Sequence, residues 1–379
     1  MKAAVYTRYG RADVVVQIKD VEKPVLKDNE VLLKVRAASV NPLDCPLPKG
    51  GARLATGLRN PKVTRLGVDV AGQVEAVGRD ATQFKPGDEV FGVCIRDPHA
   101  SSVKVWVSQG AFAEYACAPE STLFLKPDNV TYEQAASSPV AAFTALQGLR
   151  GKGKIKNGQR VLINGAAGGV GTFAVQIAKS FGAAVTGVCS TKNVEMVRSI
   201  GTDHVIDYTR EDFTKNEQRY DLILDCVGNH SLSACRRVLN PKGIYVMVGD
   251  QSGRTMIGIL ARLITALVLS RFVSQNFVTF LARPNKDDLI IMHDLMKAGK
   301  VTPVIDKIYT LSQVASAIRH VEERRARGKV VMRLSSNTRH RDGLKQGIKG
   351  KHPWGDSCRE RGPGSRTRDR RQDTTHRAS

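Results

Sequence analysis

Over its first third the chain alternates apolar and polar positions in short runs, then changes to an alternation of strand-like and helix-like segments. Lys2–Tyr6, Glu30–Val35, Gly72–Val77, Asp88–Val93 and Gly110–Ala116 carry the pattern of short strands. Lys85-Pro86-Gly87-Asp88 is a Pro-Gly turn running straight into one of them. Many short strands with Gly and Pro turns predict a small barrel over residues 1 to about 125.

From residue 126 to about 300 the pattern is strand, helix, strand. Predicted strands are Arg160–Ile163, Ala184–Cys189, His204–Ile206, Tyr220–Leu224, Gly243–Val248 and Phe277–Phe280. Helical periodicity follows Gly171, with apolar Phe173, Val175, Ile177, Ala178 and Phe181, and recurs over Val194–Ile200, Leu232–Leu239 and Asp287–Ala298. This predicts an α/β domain with a doubly wound parallel sheet. Val301–Leu334 returns as strand, helix, strand, closing on Lys329–Leu334. That strand could rejoin the first domain, so residues 1–125 and 301–335 would form one domain with 126–300 inserted.

The stretch Asn164–Gly182 reads NGAAGGVGTFAVQIAKSFG, after one predicted strand and into one predicted helix. That is the context a dinucleotide fingerprint requires. The spacing is Ala166-x-Gly168-x-x-Gly171, with alanine in place of the first glycine. Gly168 and Gly169 would let a pyrophosphate approach the backbone, and Gly171 would let the helix pack tightly on the strand. The N–H groups at the helix start, Val170 among them, would face the phosphates. In NAD-binding chains an acid about 20 residues on holds the ribose 2′-OH. Here the residues after the second strand are Ser190, Thr191 and Lys192. Two hydroxyls and a cation suit a 2′-phosphate, which favours NADPH. The same residues also read as a helix N-cap and a solvated charge.

At 379 residues the chain is long enough for two domains with substantial cores. The net charge of +22 is unevenly placed: residues 337–379 hold twelve Lys/Arg and five Asp/Glu, or +7, leaving +15 for the rest. A basic surface suits anionic ligands, nucleic acid, acidic membrane or plain solubility. Residues 336–379 are poor in apolar side chains and read as a disordered basic tail. With one aromatic, Trp354, and no periodic pattern, the tail does not point to specific nucleic-acid binding. The seven cysteines form no CxxC pair, against a disulfide framework or a cysteine-rich zinc lobe. No secretory leader precedes the first predicted strand, which makes cytoplasmic residence the default. Met256–Phe272 is the most apolar segment. It is short for a bilayer span and interrupted by Arg262, so it reads as a buried or subunit-contact helix, with peripheral membrane contact the alternative.

Several ordered motifs resemble one family. They are Val40-Asn41-Pro42-Leu43-Asp44, Gly67-Val68-Asp69-Val70-Ala71-Gly72, Phe84-Lys85-Pro86-Gly87-Asp88-Glu89-Val90, Gly110–Tyr115 and the glycine turn. Over about residues 1–335 the chain is similar to the medium-chain dehydrogenase/reductases, in the zinc-free quinone oxidoreductase (zeta-crystallin-like) branch. The resemblance implies a GroES-like barrel domain with an inserted Rossmann domain, and hydride transfer from a nicotinamide in the cleft between them. The acceptor it implies is a carbonyl, a quinone or the alkene of an enone, and without zinc a quinone or α,β-unsaturated carbonyl is favoured. Zinc-dependent relatives carry a Cys and a Gly-His-Glu element where this chain has Val40-Asn41 and Gly67-Val68-Asp69, so the ligands of a catalytic zinc are missing.

By resemblance, Asn41 is the cleft residue expected to steady a developing enolate or phenolate; its plain alternative is a turn residue before Pro42. The threonine matching Thr144 lies near the nicotinamide in the family, and its alternative is helix packing. The strand ends at Asp225-Cys226-Val227-Gly228 and Val248-Gly249 also point to the cofactor cleft, Gly249 giving room on the nicotinamide side. Asp44 and Asp69 match family positions and are assigned no catalytic role. Cys45 is a possible reactive thiol or a space-filler. The family suggests a homodimer formed through the edges of the inserted sheets. Rival readings are an alcohol or aldehyde reductase of the same fold and a nucleotide-fold RNA-binding module; no aromatic-rich basic stripe supports the latter.

Overall fold

The alternating N-terminal runs close around one long strand. The computed structural model describes residues 1–51, 53–62, 64–95, 110–249 and 273–334. Strands β1 (Lys2–Val5) and β2 (Gln17–Asp20) pair as a separate antiparallel ribbon. β3 (Glu30–Val40) is the axis of the larger sheet and pairs antiparallel with β4 (Asp69–Val77) and β6 (Tyr115–Pro119). β5 (Glu89–Val93) lies between β4 and β7 (Leu123–Leu125). The turn into β5 forms as its residues require: Asp88 N–H donates to Lys85 C=O (3.1 Å), and Gly87 takes φ +98°.

Gly110–Ala116 differs from expectation, because only its last two residues are in β6. The N–H groups of Gly110, Ala111 and Phe112 go instead to Gly67 and Leu66 carbonyls, and Ala113 bridges to Ala3. The segment spends its donors on two other partners before it reaches β3. Gly67, at φ +91°, makes room for this crossing: a Cβ there would lie 2.1 Å from the Phe112 ring.

The second sheet is wholly parallel. It consists of β8 (Arg160–Asn164), β9 (Ala184–Cys189), β10 (His204–Asp207), β11 (Tyr220–Asp225), β12 (Leu239–Met247) and β13 (Asn276–Thr279), in the order β10-β9-β8-β11-β12-β13. The winding reverses between β8 and β11, where such sheets open a ligand crevice at the carboxyl ends of their strands. Short helices α1 (Ala12–Val15) and α2 (Arg53–Thr56) belong to the first part of the chain. α3 (Tyr132–Ser137) starts with a capping box between Thr131 and Gln134, and α4 (Pro139–Leu146) opens on proline. α5 (Gly169–Ser180), α6 (Val194–Ser199), α7 (Leu232–Arg237) and α8 (Lys286–Lys297) follow. α7 stops two residues before the predicted end, since Leu239 already pairs with Tyr220 in β12.

The chain then returns. β14 (Ile305–Thr310), α9 (Val314–Glu322) and β15 (Lys329–Arg333) add to the first sheet, β15 running antiparallel to β3 with Val330 opposite Val40. One apolar core joins residues of both sheets, from Val68 and Phe91 through Phe143 and Leu146 to Phe173 and Leu224. Among the described residues no helix is long and apolar enough to cross a membrane. Met256–Phe272 and the basic tail lie outside the described residues.

Candidate cofactor and substrate site

The parallel register brings the predicted cofactor residues to one edge. Asn164, Asp225, Cys189, Met247 and Asp207 end their strands side by side, and the loops beyond them hold Gly168–Gly171, Val227, Ser190–Lys192 and Gly249. Within the turn, the left-handed residue is Gly165 (φ +85°), one place before the alanine of the fingerprint. Ala166 therefore needs no special backbone, and its side chain is fully buried. At Gly168 a Cβ would meet only the Gly165 carbonyl, at 3.4 Å, so this is the bare face an anion could approach. A Cβ at Gly171 would lie 2.1 Å from the same carbonyl, so that glycine serves helix-on-strand packing. Gly168, Gly169 and Val170 stay partly accessible. Thr172 N–H is the first to reach back, to Gly168 C=O, which leaves the N–H groups ahead of it without a helical acceptor.

Two glycines face elsewhere than expected. A Cβ at Gly169 would press on the Lys329 stem at 3.1 Å and the Gly328 carbonyl at 3.4 Å, not on the phosphate path. At Gly249 it would lie 2.1 Å from the Cys226 carbonyl, so close backbone packing accounts for that glycine without a ligand.

Under the turn lies a buried knot around Asp225, a residue the sequence placed at the cofactor cleft without its partners. The fully buried Asp225 accepts hydrogen bonds from Asn164 Nδ2 (2.8 Å), Val227 N–H (2.9 Å), Gly228 N–H (2.8 Å) and Tyr245 Oη. One carboxylate thus ties three adjacent strands together at the cofactor edge, and Val227 is held by its backbone. The signal was the Asp at a strand end in Asp225-Cys226-Val227-Gly228, whose last two N–H groups fold back onto it.

Beyond β9, Ser190 Oγ accepts from Asn193 Nδ2 (3.2 Å), which leaves its own hydrogen to donate. Thr191 directs its hydroxyl at Asp207 (2.6 Å), so in this arrangement it offers a phosphate no donor. That bond, with those from Thr209 and the nearby Arg210, holds the Asp207 carboxyl below its ordinary range. Lys192 is exposed.

The other half of the site is built at the far end of β3. Asn41 Nδ2 donates to Asp69 Oδ2 (2.8 Å), and Lys329 Nζ donates to Asn41 Oδ1 (2.6 Å). Lys329 also pairs with Asp69 at 3.4 Å. Ser39 Oγ (2.6 Å) and Val140 N–H (3.0 Å) complete the Asp69 carboxylate, and Asn41 N–H donates to Asp44 Oδ2 (2.7 Å). All five side chains are buried, Lys329 being 3 % exposed. Burial lowers the Lys329 ammonium from its ordinary value, opposed by Asp69. Burial raises the Asp44 carboxyl to about 7, with Asp69 adding to the rise and the Asn41 N–H and Lys329 opposing it. Asp69 is thus the hub on which Asn41, Lys329 and the start of α4 converge. Lys329 was not singled out from sequence, where it read as an ordinary strand-edge lysine.

Lys329 also links the two halves of the site. Gly328 N–H donates to Ala167 C=O (2.8 Å), and Gly168 bridges to Gly328. Thr144 lies one turn along α4 from the residue seated on Asp69, and its hydroxyl donates to Val140 C=O (2.8 Å). Its hydrogen is spent within the helix and only its lone pairs remain. Cys45 is buried against the Asn41 and Ile318 carbonyls, and burial pushes its thiol up to about 12, which fits a space-filler.

Comparisons with known proteins agree with this architecture. Residues 27–128 match the alcohol dehydrogenase GroES-like domain family and residues 200–332 a family described as zinc-binding dehydrogenase. The chain is 34 % identical over 366 residues to the mitochondrial NAD(P)H oxidoreductase RTN4IP1 of Mus musculus, covering 88 % of this chain and 89 % of that one. It is 34 % identical over 336 residues to the 2-methylene-furan-3-one reductase of Solanum lycopersicum, covering 88 % and 79 %. The solved quinone oxidoreductase of Coxiella burnetii superposes with a TM-score of 0.74 at 29 % identity, over 88 % of this chain and 99 % of that one. The residues here do not fit a zinc ion: Asn41 and Asp69 already hold an ammonium between them, with neither thiolate nor imidazole in the cluster. Among the described residues no group of His, Cys, Asp and Glu could hold a metal. On fold, glycine turn and relatives together, the chain belongs to the medium-chain dehydrogenase/reductase superfamily, in its quinone oxidoreductase branch.

Proposed function

We propose that this protein is an NADPH-dependent, zinc-independent reductase of quinones or α,β-unsaturated carbonyls. The observation that carries the reading is the pairing of a bare backbone face at Gly168 with a buried cluster in which the Asn41 amide is held between an ammonium and a carboxylate. The relatives named as an NAD(P)H oxidoreductase and as a reductase of an exocyclic enone support it. The first turn of α5 would hold the pyrophosphate, with Ser190 and Lys192 on the 2′-phosphate. When bound, the reduced nicotinamide supplies a hydride. The chain's own part is to align the acceptor, exclude water and meet the negative charge that develops on the acceptor oxygen. Asn41 is the donor assigned to that oxygen, since Nδ2 has a second hydrogen beyond the one given to Asp69. No Lewis acid is needed for an electron-poor alkene or quinone, whereas alcohol oxidation would want one. As a further part of the reading, two copies pair through edge strands of their parallel sheets.

The deciding experiment follows NADPH oxidation against a panel of quinones, enones and aldehydes, with and without chelator. Turnover of quinones or enones, unchanged by chelator, is the expected result. Turnover confined to aldehydes, or lost with chelator, would overturn it. Cofactor choice has its own test. Lys192→Glu should shift the NADPH-to-NADH preference in kcat/KM by roughly tenfold toward NADH, the scale of reversing one exposed charge beside a phosphate. An unchanged ratio would mean that Lys192 does not meet the 2′-phosphate.

A further inference from the structure

Asn41 stands between two groups of opposite hydrogen-bonding character. An ammonium can only donate, and an ionised carboxylate can only accept. Lys329 Nζ faces one end of the amide at 2.6 Å and Asp69 Oδ2 faces the other at 2.8 Å. Turning the amide over would set its carbonyl against a carboxylate and its NH₂ against an ammonium. We infer that Lys329 and Asp69 are positioning residues that lock the Asn41 amide in one orientation and polarise it, so that its remaining N–H is a fixed donor for the acceptor oxygen. A cation on the amide oxygen draws charge from the nitrogen and strengthens its N–H as a donor. The inference rests on the Asn41 role proposed above and adds the two residues that make it possible.

The lock spans the molecule. Asp69 is at the start of β4 and Lys329 at the start of β15, 260 residues later. The Lys329 stem passes beside Gly169 of the glycine turn, so the same side chain that orients the amide lies against the cofactor edge. The titratable groups facing the amide are Lys329 from β15, Asp69 from β4 and Asp44 from the turn after β3. Ser39 of β3 and Val140 of α4 give Asp69 only an O–H and an N–H.

Removing the cation has a consequence that mere loss of packing lacks. In Lys329→Met the Asn41 amide oxygen loses the donor-only group that faced it, so nothing at that end distinguishes its carbonyl from its NH₂. Asp69 alone then constrains the other end, and the amide turns over part of the time. Arginine in place of lysine supplies a donor-only cation again.

The test uses the full-length protein with NADPH and a quinone found active in the panel. Asn41→Ala should lower kcat about 100-fold, the scale of losing one oxyanion donor. Lys329→Met should lower kcat about tenfold. Lys329→Arg, which keeps a donor-only cation, should restore most of kcat and serves if the methionine variant does not fold. In an Asn41→Ala background, Lys329→Met should cost less than about twofold more, because the two residues act as one unit. Without any ligand, asparagine-¹⁵N-labelled wild type should show one Asn41 side-chain amide pair, and Lys329→Met a doubled pair. A normal kcat in Asn41→Ala overturns the donor role itself. A damaged Asn41→Ala with additive losses, a Lys329→Arg that stays as slow as Lys329→Met, or a single amide pair in Lys329→Met overturns the lock alone.

Discussion

Gly171→Ala is expected to destabilise the protein by about 3 kcal/mol or more, although it adds a single methyl group to a helix. The new Cβ would lie 2.1 Å from the Gly165 carbonyl oxygen and 2.8 Å from Ala166 Cα, all of it backbone. Gly165 cannot yield easily: it occupies φ +85°, its own Cβ position is blocked by Val227, and its N–H is bonded to Val188 C=O. Helix α5 must therefore lift off β8, opening the core around Phe173 and Ile177. Gly168→Ala gives the contrast. Its backbone is extended (φ −83°, ψ 174°) and its Cβ meets one atom at 3.4 Å, so stability should hold within about 0.5 kcal/mol. NADPH affinity should nevertheless fall about tenfold or more, because the methyl group stands on the open phosphate face. Chemical denaturation and cofactor titration of both variants separate the roles. Equal stability losses would mean that the turn is not divided between packing and binding in this way.

What sequence could and could not show follows the same division. The strands were legible because each carries its own period and its own turn residues. Pro86-Gly87 fixes the entry to β5, and the apolar positions after Gly171 fix the buried face of α5. The glycine turn was legible as a unit, but not which glycine does what, since direction depends on the partner strand. Gly169 and Gly249 look alike in sequence to a phosphate-binding glycine, yet one faces a lysine stem and the other a carbonyl. The β6 segment was misplaced because its alternating side chains say nothing of where its N–H groups go.

The active half of the site shows the limit more clearly. Asn41 and Asp69 were reachable through motif resemblance, but Lys329 is 260 residues from Asp69, and a lysine opening an apolar strand has no local mark of burial. The pair exists only because β15 returns to β3 at the register that sets Val330 opposite Val40. Asp225 and Tyr245 likewise meet only through the register of β11 against β12. Long-range register is thus what turns scattered polar residues into a site, and it is the part of the fold a single sequence encodes least directly.

Asp44 is the residue whose ionisation this arrangement makes costly. Its carboxyl is fully buried, and the backbone N–H groups of Asn41 and Gly67 only partly oppose the effect of that burial. In the unfolded chain it ionises near 3.8, whereas in the fold burial and the neighbouring Asp69 raise it to about 7. Between those values the unfolded chain has released a proton that the folded chain keeps, so this group's contribution to stability is full below about pH 4 and lost as pH rises through about 7. The loss runs at about 1.4 kcal/mol per pH unit and reaches on the order of 4 kcal/mol. Other carboxylates slope the opposite way: bonds from Lys179 and Val185 N–H hold Asp203 down despite its partial burial. They are shared with any variant, so the comparison to make is a difference. Asp44→Asn keeps an oxygen to accept the Asn41 N–H and cannot ionise. The stability of the variant relative to wild type should therefore rise by about 3 kcal/mol between pH 4.5 and 8, measured by denaturant unfolding at each pH. Parallel curves would mean that the folded carboxyl is already ionised at pH 4.5, held so by Lys329, and that the buried cluster carries one more negative charge than burial predicts.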